Sequence, residues 1–243
     1  DDCQDMVKKA FLDEQLTSKM QLTSANSINV ARWLPQLFYF MFAYKQLKQQ
    51  HKTIVFSVPS GNFGNVCAGM IAQKLGLPIH HFIASNNDNN VVTRYLKSNS
   101  YDPKPSVQTV SNAMDVGNPS NFIRIQAIYK NEFETLKENL SSYSFTDEET
   151  KEALKEIYST TNYIADPHGA VGYLGCKSYL KTNPEAHCVF LETAHPTKFL
   201  DVVEEVIPAE IPLPPQIQAV IDKQKVATKI KDYTAFKAFL TQL

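Results

Sequence analysis

Apolar residues recur along this chain with two different periods. Over residues 1–15, Cys3, Met6, Val7, Ala10 and Phe11 return every three or four positions, the spacing of one helical face. Residues 17–24 are polar and read as a strand end or loop. From Ser27 a long apolar run carries Leu34, Leu37, Phe38, Met41, Phe42 and Leu47, a largely buried helix that Pro35 kinks or delays. Residues 53–59 switch to an almost unbroken apolar run, the pattern of a buried strand. Helical spacing returns over 65–75, where Gly76 and then Pro78 stop the helix. A second strand follows over 79–85. Strand, helix and strand within about thirty residues form a βαβ unit, which implies parallel strands.

The second half has clearer punctuation. A polar turn over 86–90 precedes a short helix to Lys97, Pro103 and Pro105 mark a loop, and 119–133 reads as one helix. Thr146, Asp147, Glu148 and Glu149 spell a capping box that opens a helix to about Tyr158. Asp166 and Pro167 supply an N-cap and a first-turn proline for a helix to about Leu180. Residues 187–192 form a further strand. After it, Phe199, Val202, Val203 and Val206 share a helical face, Pro208, Pro212, Pro214 and Pro215 make a linker-like stretch, and 233–243 closes in a helix. The expected fold is α/β, an open, mainly parallel sheet flanked by helices.

Composition narrows the function classes. A chain of 243 residues suits one large domain or two small ones. A net charge of -1 and only three arginines, Arg32, Arg94 and Arg124, give no electrostatic footprint for nucleic acid. No apolar stretch reaches the length of a membrane span, so no membrane partner is expected. Cys3, Cys67, Cys176 and Cys188 form no C-x-x-C pair and no zinc spacing, which fits a reducing cytoplasm and predicts no metal site. The chain opens on Asp1 inside a helical pattern, without methionine or signal peptide, and reads as a fragment or processed piece.

The strongest candidate chemistry lies at Ser60, Gly61, Asn62, Phe63, Gly64 and Asn65, between a predicted strand and a predicted helix. Two glycines allow a tight turn, and the helix N-terminus adds unpaired N–H donors and a positive dipole end. The segment can cradle a phosphate, or it can be a tight βα turn without a ligand. It is neither a P-loop nor a dinucleotide fingerprint. Ser60 is no hydrolase nucleophile, because Val58 and Asn62 stand where the elbow motif needs glycine. His80 and His81 alternate across a strand and offer no joint metal site. His168 and His195, at helix starts, read as structural caps before general bases. Thr193, at a strand end, would face the ligand crevice of a parallel sheet or simply end its strand.

Three ordered segments carry a resemblance: Ser24-Ala25-Asn26-Ser27-Ile28-Asn29, Pro59-Ser60-Gly61-Asn62-Phe63-Gly64 and Thr193-Ala194-His195-Pro196. Together with 75–78, 111–115, 118–121 and the opening Asp1-Asp2-Cys3-Gln4, they resemble the long bacterial and fungal type of threonine synthase across essentially the whole chain. The resemblance implies a pyridoxal-phosphate (PLP) enzyme of the tryptophan-synthase-like fold, converting O-phosphohomoserine and water into threonine and phosphate. It implies that Ser60, Gly61, Asn62, Phe63, Gly64 and Asn65 hold the cofactor phosphate and that Thr193 bonds the pyridine nitrogen. Ser24, Asn26, Ser27 and Asn29 would hold the substrate, or cap a helix with their polar side chains. It also divides the chain into residues 1–24, a remnant of a smaller mobile subdomain, and 25–243, part of the large PLP-binding domain. On that division the first helix is left with an exposed apolar face.

In one respect the sequence departs from the family. The lysine that carries the cofactor lies there in a phenylalanine-lysine-aspartate context, and Lys8, Lys9, Lys45, Lys74, Lys198 and the other lysines stand in none. The expectation is a threonine-synthase part without its Schiff-base lysine, inactive alone and partnered by the missing N-terminal part. The alternative is a non-catalytic phosphate- or PLP-binding module of the same family.

Overall fold

The computed structural model describes residues 2–27, 29–48 and 53–242. Asp1 and Leu243, at the ends of two expected helices, and Ile28 lie outside them. The contacts divide the chain into two compact units, Asp1–Asn29 with Leu213–Leu243, and Val30–Pro212. The resemblance implies a division of a different kind, 1–24 from 25–243; by contacts, residues 213–243 group with residues 1–29.

The expected helix over 1–15 is split into α1 (Asp2–Leu12) and α2 (Glu14–Thr17). Asp13 causes the break, because its carboxylate accepts the Gln15 N–H at 3.0 Å and caps α2. Residues 30–32 form a 3₁₀ turn, and α3 (Trp33–Leu47) carries Pro35 in its first turn, where a missing N–H costs nothing. The chain continues through β1 (Ile54–Pro59), α4 (Gly64–Lys74), β2 (His81–Asn86) and α5 (Val91–Ser98).

The expected single helix over 119–133 is two: α6 (Phe122–Ile128) and α7 (Phe133–Asn139). Lys130 and Asn131 turn between them at φ 54° and 59°. Tyr129 is buried and Phe133 packs against the same core, so the chain reverses to put both rings there. Then come β3 (Leu140–Ser144), α8 (Asp147–Thr161) with its capping box formed, α9 (Pro167–Leu180) and β4 (His187–Phe190). The chain ends with α10 (Leu200–Val206), α11 (Pro215–Gln218) and α12 (Tyr233–Thr241).

In the first unit the tail helix α12 packs on α1 and α2. Tyr233 donates its hydroxyl to Asp13 at 2.7 Å, and Lys237 Nζ lies 2.6 Å from the same carboxylate. Lys237 above all, then Tyr233, holds the Asp13 carboxyl down to about 2. Ala10 and Leu16 are buried. The tail thus covers part of the first segment's apolar face, while Leu12 remains exposed.

In the second unit all strand pairs are parallel, in the order β3-β2-β1-β4. Side chains alternate across the sheet. Phe56, Val58, Phe82 and Ala84 join the core under α3 and α4, where Phe40 meets Phe56 edge-on at 5.0 Å. Val55, Ser57, Ile83 and Ser85 face the other way, toward α9. Helix α9 comes close because Gly175 has no Cβ; one built there would lie 1.9 Å from Ser85 Oγ. The buried serines are satisfied, Ser57 donating to the Gly172 carbonyl at 2.6 Å and pairing with Ser85 at 2.8 Å.

Among the described residues no helix is long and apolar enough to cross a membrane. Cys67 and Cys176 are buried free thiols, and burial pushes Cys67 up to about 12.

Candidate functional site

Because every strand is parallel, the carboxyl ends of β1, β2, β3 and β4 open on one edge of the sheet. From β1 the chain adds β2 and then β3 on one side, whereas β4 pairs on the other side of β1. The crevice between β1 and β4 is therefore the topological switch point, where open α/β sheets take ligands. Ser57 pairs with Phe190. Three residues further on, the two chains reach Ser60 and Thr193.

The segment after β1 has several of its carbonyls and side chains tied down, while four of its N–H groups stay open. Ser60 N–H donates to the Ser85 carbonyl at 2.9 Å and its hydroxyl to the Val58 carbonyl at 2.6 Å. Asn86 donates to the Ser60 carbonyl at 2.7 Å, and the Asn65 side chain to the Pro59 carbonyl at 2.8 Å. Asn62 Oδ1 accepts from Ser120 N–H at 2.7 Å and Ser120 Oγ at 2.9 Å. Phe63 occupies the left-handed region at φ 63° as the N-cap of α4, with its ring buried against Phe122 at 5.9 Å.

No side chain caps α4, and no acidic residue lies in its first turn. Among the described residues, nothing accepts from the backbone N–H of Gly61, Phe63, Gly64 or Asn65. A left-handed residue beside right-handed ones turns successive N–H groups toward one point, a concavity for an anion, and the helix dipole adds to it. The residues fit the phosphate of a phosphorylated ligand, because open N–H groups converge there at a helix N-terminus with no side-chain cap.

A second loop walls the cradle. A Cβ on Gly61 would lie 2.7 Å from Met114 Cα, so the turn at Asn112–Met114 rests directly on the glycine. Asp115 anchors that turn by accepting from Thr109 Oγ1 at 2.7 Å, Asn87 at 2.9 Å and Asn89 at 3.1 Å. Burial raises the Asp115 carboxyl above its ordinary value. This polar cluster was not legible in the sequence, since its members are spread over 87–115 and meet only in three dimensions.

His168 holds the same turn from below. Its Nε2 accepts the Ala113 N–H at 3.2 Å, and its Nδ1 faces Asp166 Oδ1. A backbone N–H can only donate, so Nε2 is bare and Nδ1 carries the proton. The cap of α9 is Asp166, which accepts the His168 N–H at 2.8 Å. His195 is a cap, as the sequence suggested, accepting the Thr197 N–H at 3.2 Å.

Thr193 is exposed, and its hydroxyl bonds to nothing among the described residues. It caps no helix, since that position belongs to His195. Ser24, Asn26, Ser27 and Asn29 lie in the first unit, in a turn with several internal bonds. Ser24 Oγ accepts the Asn26 N–H at 3.2 Å, Ser27 Oγ donates to Asn26 at 3.2 Å, and Asn29 Nδ2 donates to the Ser24 carbonyl at 3.2 Å. Among the described residues no group of three metal-ligating side chains forms.

Comparison with known proteins gives a consistent set of relatives. Residues 1–193 match the profile of pyridoxal-phosphate dependent enzymes, and 169–240 match that of the threonine synthase C-terminal region. A threonine synthase from Haemophilus influenzae is 46% identical over 215 residues, 88% of this chain and 50% of the relative. The crystal structure of threonine synthase from Escherichia coli superposes with a TM-score of 0.92 at 38% identity, over 99% of this chain and 56% of that one. A PLP-bound threonine synthase from Brucella melitensis gives 0.86 at 29% identity, over 99% of this chain and 57% of that one. The chain thus spans about half the length of the relatives it matches.

Proposed function

Because this chain belongs to the pyridoxal-phosphate-dependent enzymes, we propose that it supplies the cofactor-binding part of a threonine synthase. The complete activity would convert O-phosphohomoserine and water into threonine and phosphate, in the cytoplasm. The observation that carries this reading is the set of four open N–H groups after β1, at the switch point between β1 and β4. Gly61, Phe63, Gly64 and Asn65 would hold the cofactor phosphate through their backbone, with Ser60 and Asn62 bracing the loop. Bound there, PLP supplies an electron sink for an amino-acid substrate. The free Thr193 hydroxyl would meet the pyridine nitrogen, and a neutral partner leaves that nitrogen unprotonated. Ser24, Asn26, Ser27 and Asn29 would contribute to holding the substrate. With no lysine in the family context, this chain turns over no substrate alone and needs a segment that brings one.

Phosphate release from O-phosphohomoserine tests the proposal, with the chain alone and with the chain joined to the lysine-bearing half of a relative. No release is expected from the chain alone and steady release from the joined protein. In that protein Thr193→Val should lower turnover about tenfold, the worth of one hydrogen bond to a polar ring atom, with cofactor affinity little changed. Serine at this position keeps the hydroxyl and should restore turnover. A joined, folded protein that releases no phosphate would refute the function, and an unaffected Thr193→Val would remove the pyridine role.

A further inference from the structure

Asp166 is fully buried, yet only one of its carboxylate oxygens is accounted for. Oδ1 accepts from His168 N–H and faces His168 Nδ1, whereas Oδ2 has no donor among the described residues. The neighbour of Asp166 is a second carboxyl, that of Glu192, two residues past the end of β4. Part of Glu192 lies at the surface, but its carboxyl turns inward over α9: a Cβ on Gly169 would sit 2.0 Å from Oε1 and 2.3 Å from Cδ. Only glycine leaves room there for the carboxyl as it stands. Two neighbouring ionised carboxyls, one of them buried, repel each other and leave Oδ2 orphaned. One proton on Glu192 removes both problems.

We infer that Glu192 is a positioning residue, a neutral carboxylic acid that donates to Asp166 Oδ2 and completes a relay from the end of β4 to the wall of the anion cradle. The relay runs from the Glu192 proton to Asp166, from the His168 Nδ1–H to Asp166, and from the Ala113 N–H to His168 Nε2. Its last member carries Met114, which rests on Gly61. This linkage is independent of which ligand the cradle takes. Thr193 follows Glu192 directly, so the same acid pair also anchors the strand end that presents the free hydroxyl.

The electrostatics agree with this geometry. Burial first, then the bond to Asp166, pushes the Glu192 carboxyl up to about 10. Asp166 moves the other way: burial opposes the shift, but the bonds from His168 and Glu192 hold it below its ordinary value. Tyr163 feels both carboxyls and is raised, chiefly by burial, and Lys198 lies over the Phe199 ring that packs on His168.

The native state therefore keeps a proton on Glu192 that the unfolded chain loses above about 4.5. Stability from this group is full below that pH and falls as pH rises toward 10, by up to about tenfold in the folding equilibrium per pH unit. The Asp166 contribution has the opposite sign and is lost only in acid.

Infrared spectroscopy of the whole chain at neutral pH reads the proton directly. The wild type should show the carbonyl stretch of a buried carboxylic acid, shifted in heavy water. Glu192→Gln should remove the band, because it replaces the acid, yet stay folded, because its amide still donates to Asp166. In parallel, the melting temperature of the wild type should fall between pH 5 and 9 more steeply than that of Glu192→Gln. A folded wild type without the band, or a band that survives Glu192→Gln, overturns the inference. Equal pH slopes in the two proteins would also overturn it.

Discussion

Replacing Gly61 by alanine is expected to weaken PLP binding about tenfold or more and to destabilise the fold by about 1–3 kcal/mol, the usual cost of overpacking. The added Cβ meets Met114 Cα at 2.7 Å and the Ala113 carbonyl oxygen at 3.3 Å. Both are backbone atoms and cannot rotate away. The loop must move outward, or the turn at 112–114 must lift, and either shift pulls the Gly61, Phe63, Gly64 and Asn65 N–H groups out of convergence. Oriented donors lose strength quickly with angle, so affinity should fall further than stability. Calorimetric titration with PLP and thermal melting separate the two effects. Unchanged affinity in a folded Gly61→Ala protein would show that the loop does not hold the phosphate.

A second large effect is expected in acid, from His81. This side chain ties β2 to the end of α7 and to β3: its ring nitrogens lie 3.0 Å from the Glu138 carbonyl and 2.8 Å from Ser141 Oγ, and its ring stacks on Tyr179 at 5.2 Å. Burial lowers its pKa from 6.5 to about 4, with the Glu138 carbonyl opposing. Between those values the unfolded chain binds a proton that the native state refuses. The stability is therefore present in full above about 6.5 and is lost as pH falls through about 4, on the order of 3 kcal/mol in all. Because the Glu192 contribution runs the other way over this range, the comparison with His81→Gln, which has no proton to gain, isolates the effect. In urea unfolding at pH 7, 5.5 and 4.5 the wild type should lose stability relative to His81→Gln as pH falls, with the variant less stable at pH 7. Parallel slopes in the two proteins would remove this role from His81.

Much of the architecture was legible because local and tertiary signals agree. The run at 54–59 is apolar on both faces and is buried on both faces, and Gly76, at φ 103°, ends α4 as expected. Asp166 and Thr146 cap the helices they were expected to cap. The failures have physical causes of their own. Strand β3 reads Leu-Ser-Ser-Tyr-Ser, too polar to signal a strand. It forms because Ser142 bonds the Ala84 carbonyl at 2.9 Å and Ser141 meets His81, so its partner β2 supplies what its own sequence lacks. The break between α6 and α7 has no glycine or proline to announce it, and Lys130 and Asn131 accept positive φ so that Tyr129 and Phe133 can both turn inward.

The candidate site divides in the same way. The glycine loop was legible because its chemistry is local: a turn, then a helix start. The wall built by Met114, the Asp115 cluster and the pairing of Asp166 with Glu192 was not, because each joins residues far apart in the chain. Thr193 could be placed at a strand end, and the parallel pairing of β4 on β1 puts that strand end at the same edge of the sheet as the end of β1.

The claim on which the functional account rests is that the segment after β1 binds the cofactor through its phosphate. Amide resonances of the isotopically labelled chain test it most directly, titrated with PLP, inorganic phosphate and pyridoxal without phosphate. The account predicts that the amides of Gly61, Phe63, Gly64 and Asn65 shift together with PLP and with phosphate, and stay in place with pyridoxal. Shifts of equal size with pyridoxal, or no shift of these four amides with PLP, would contradict it.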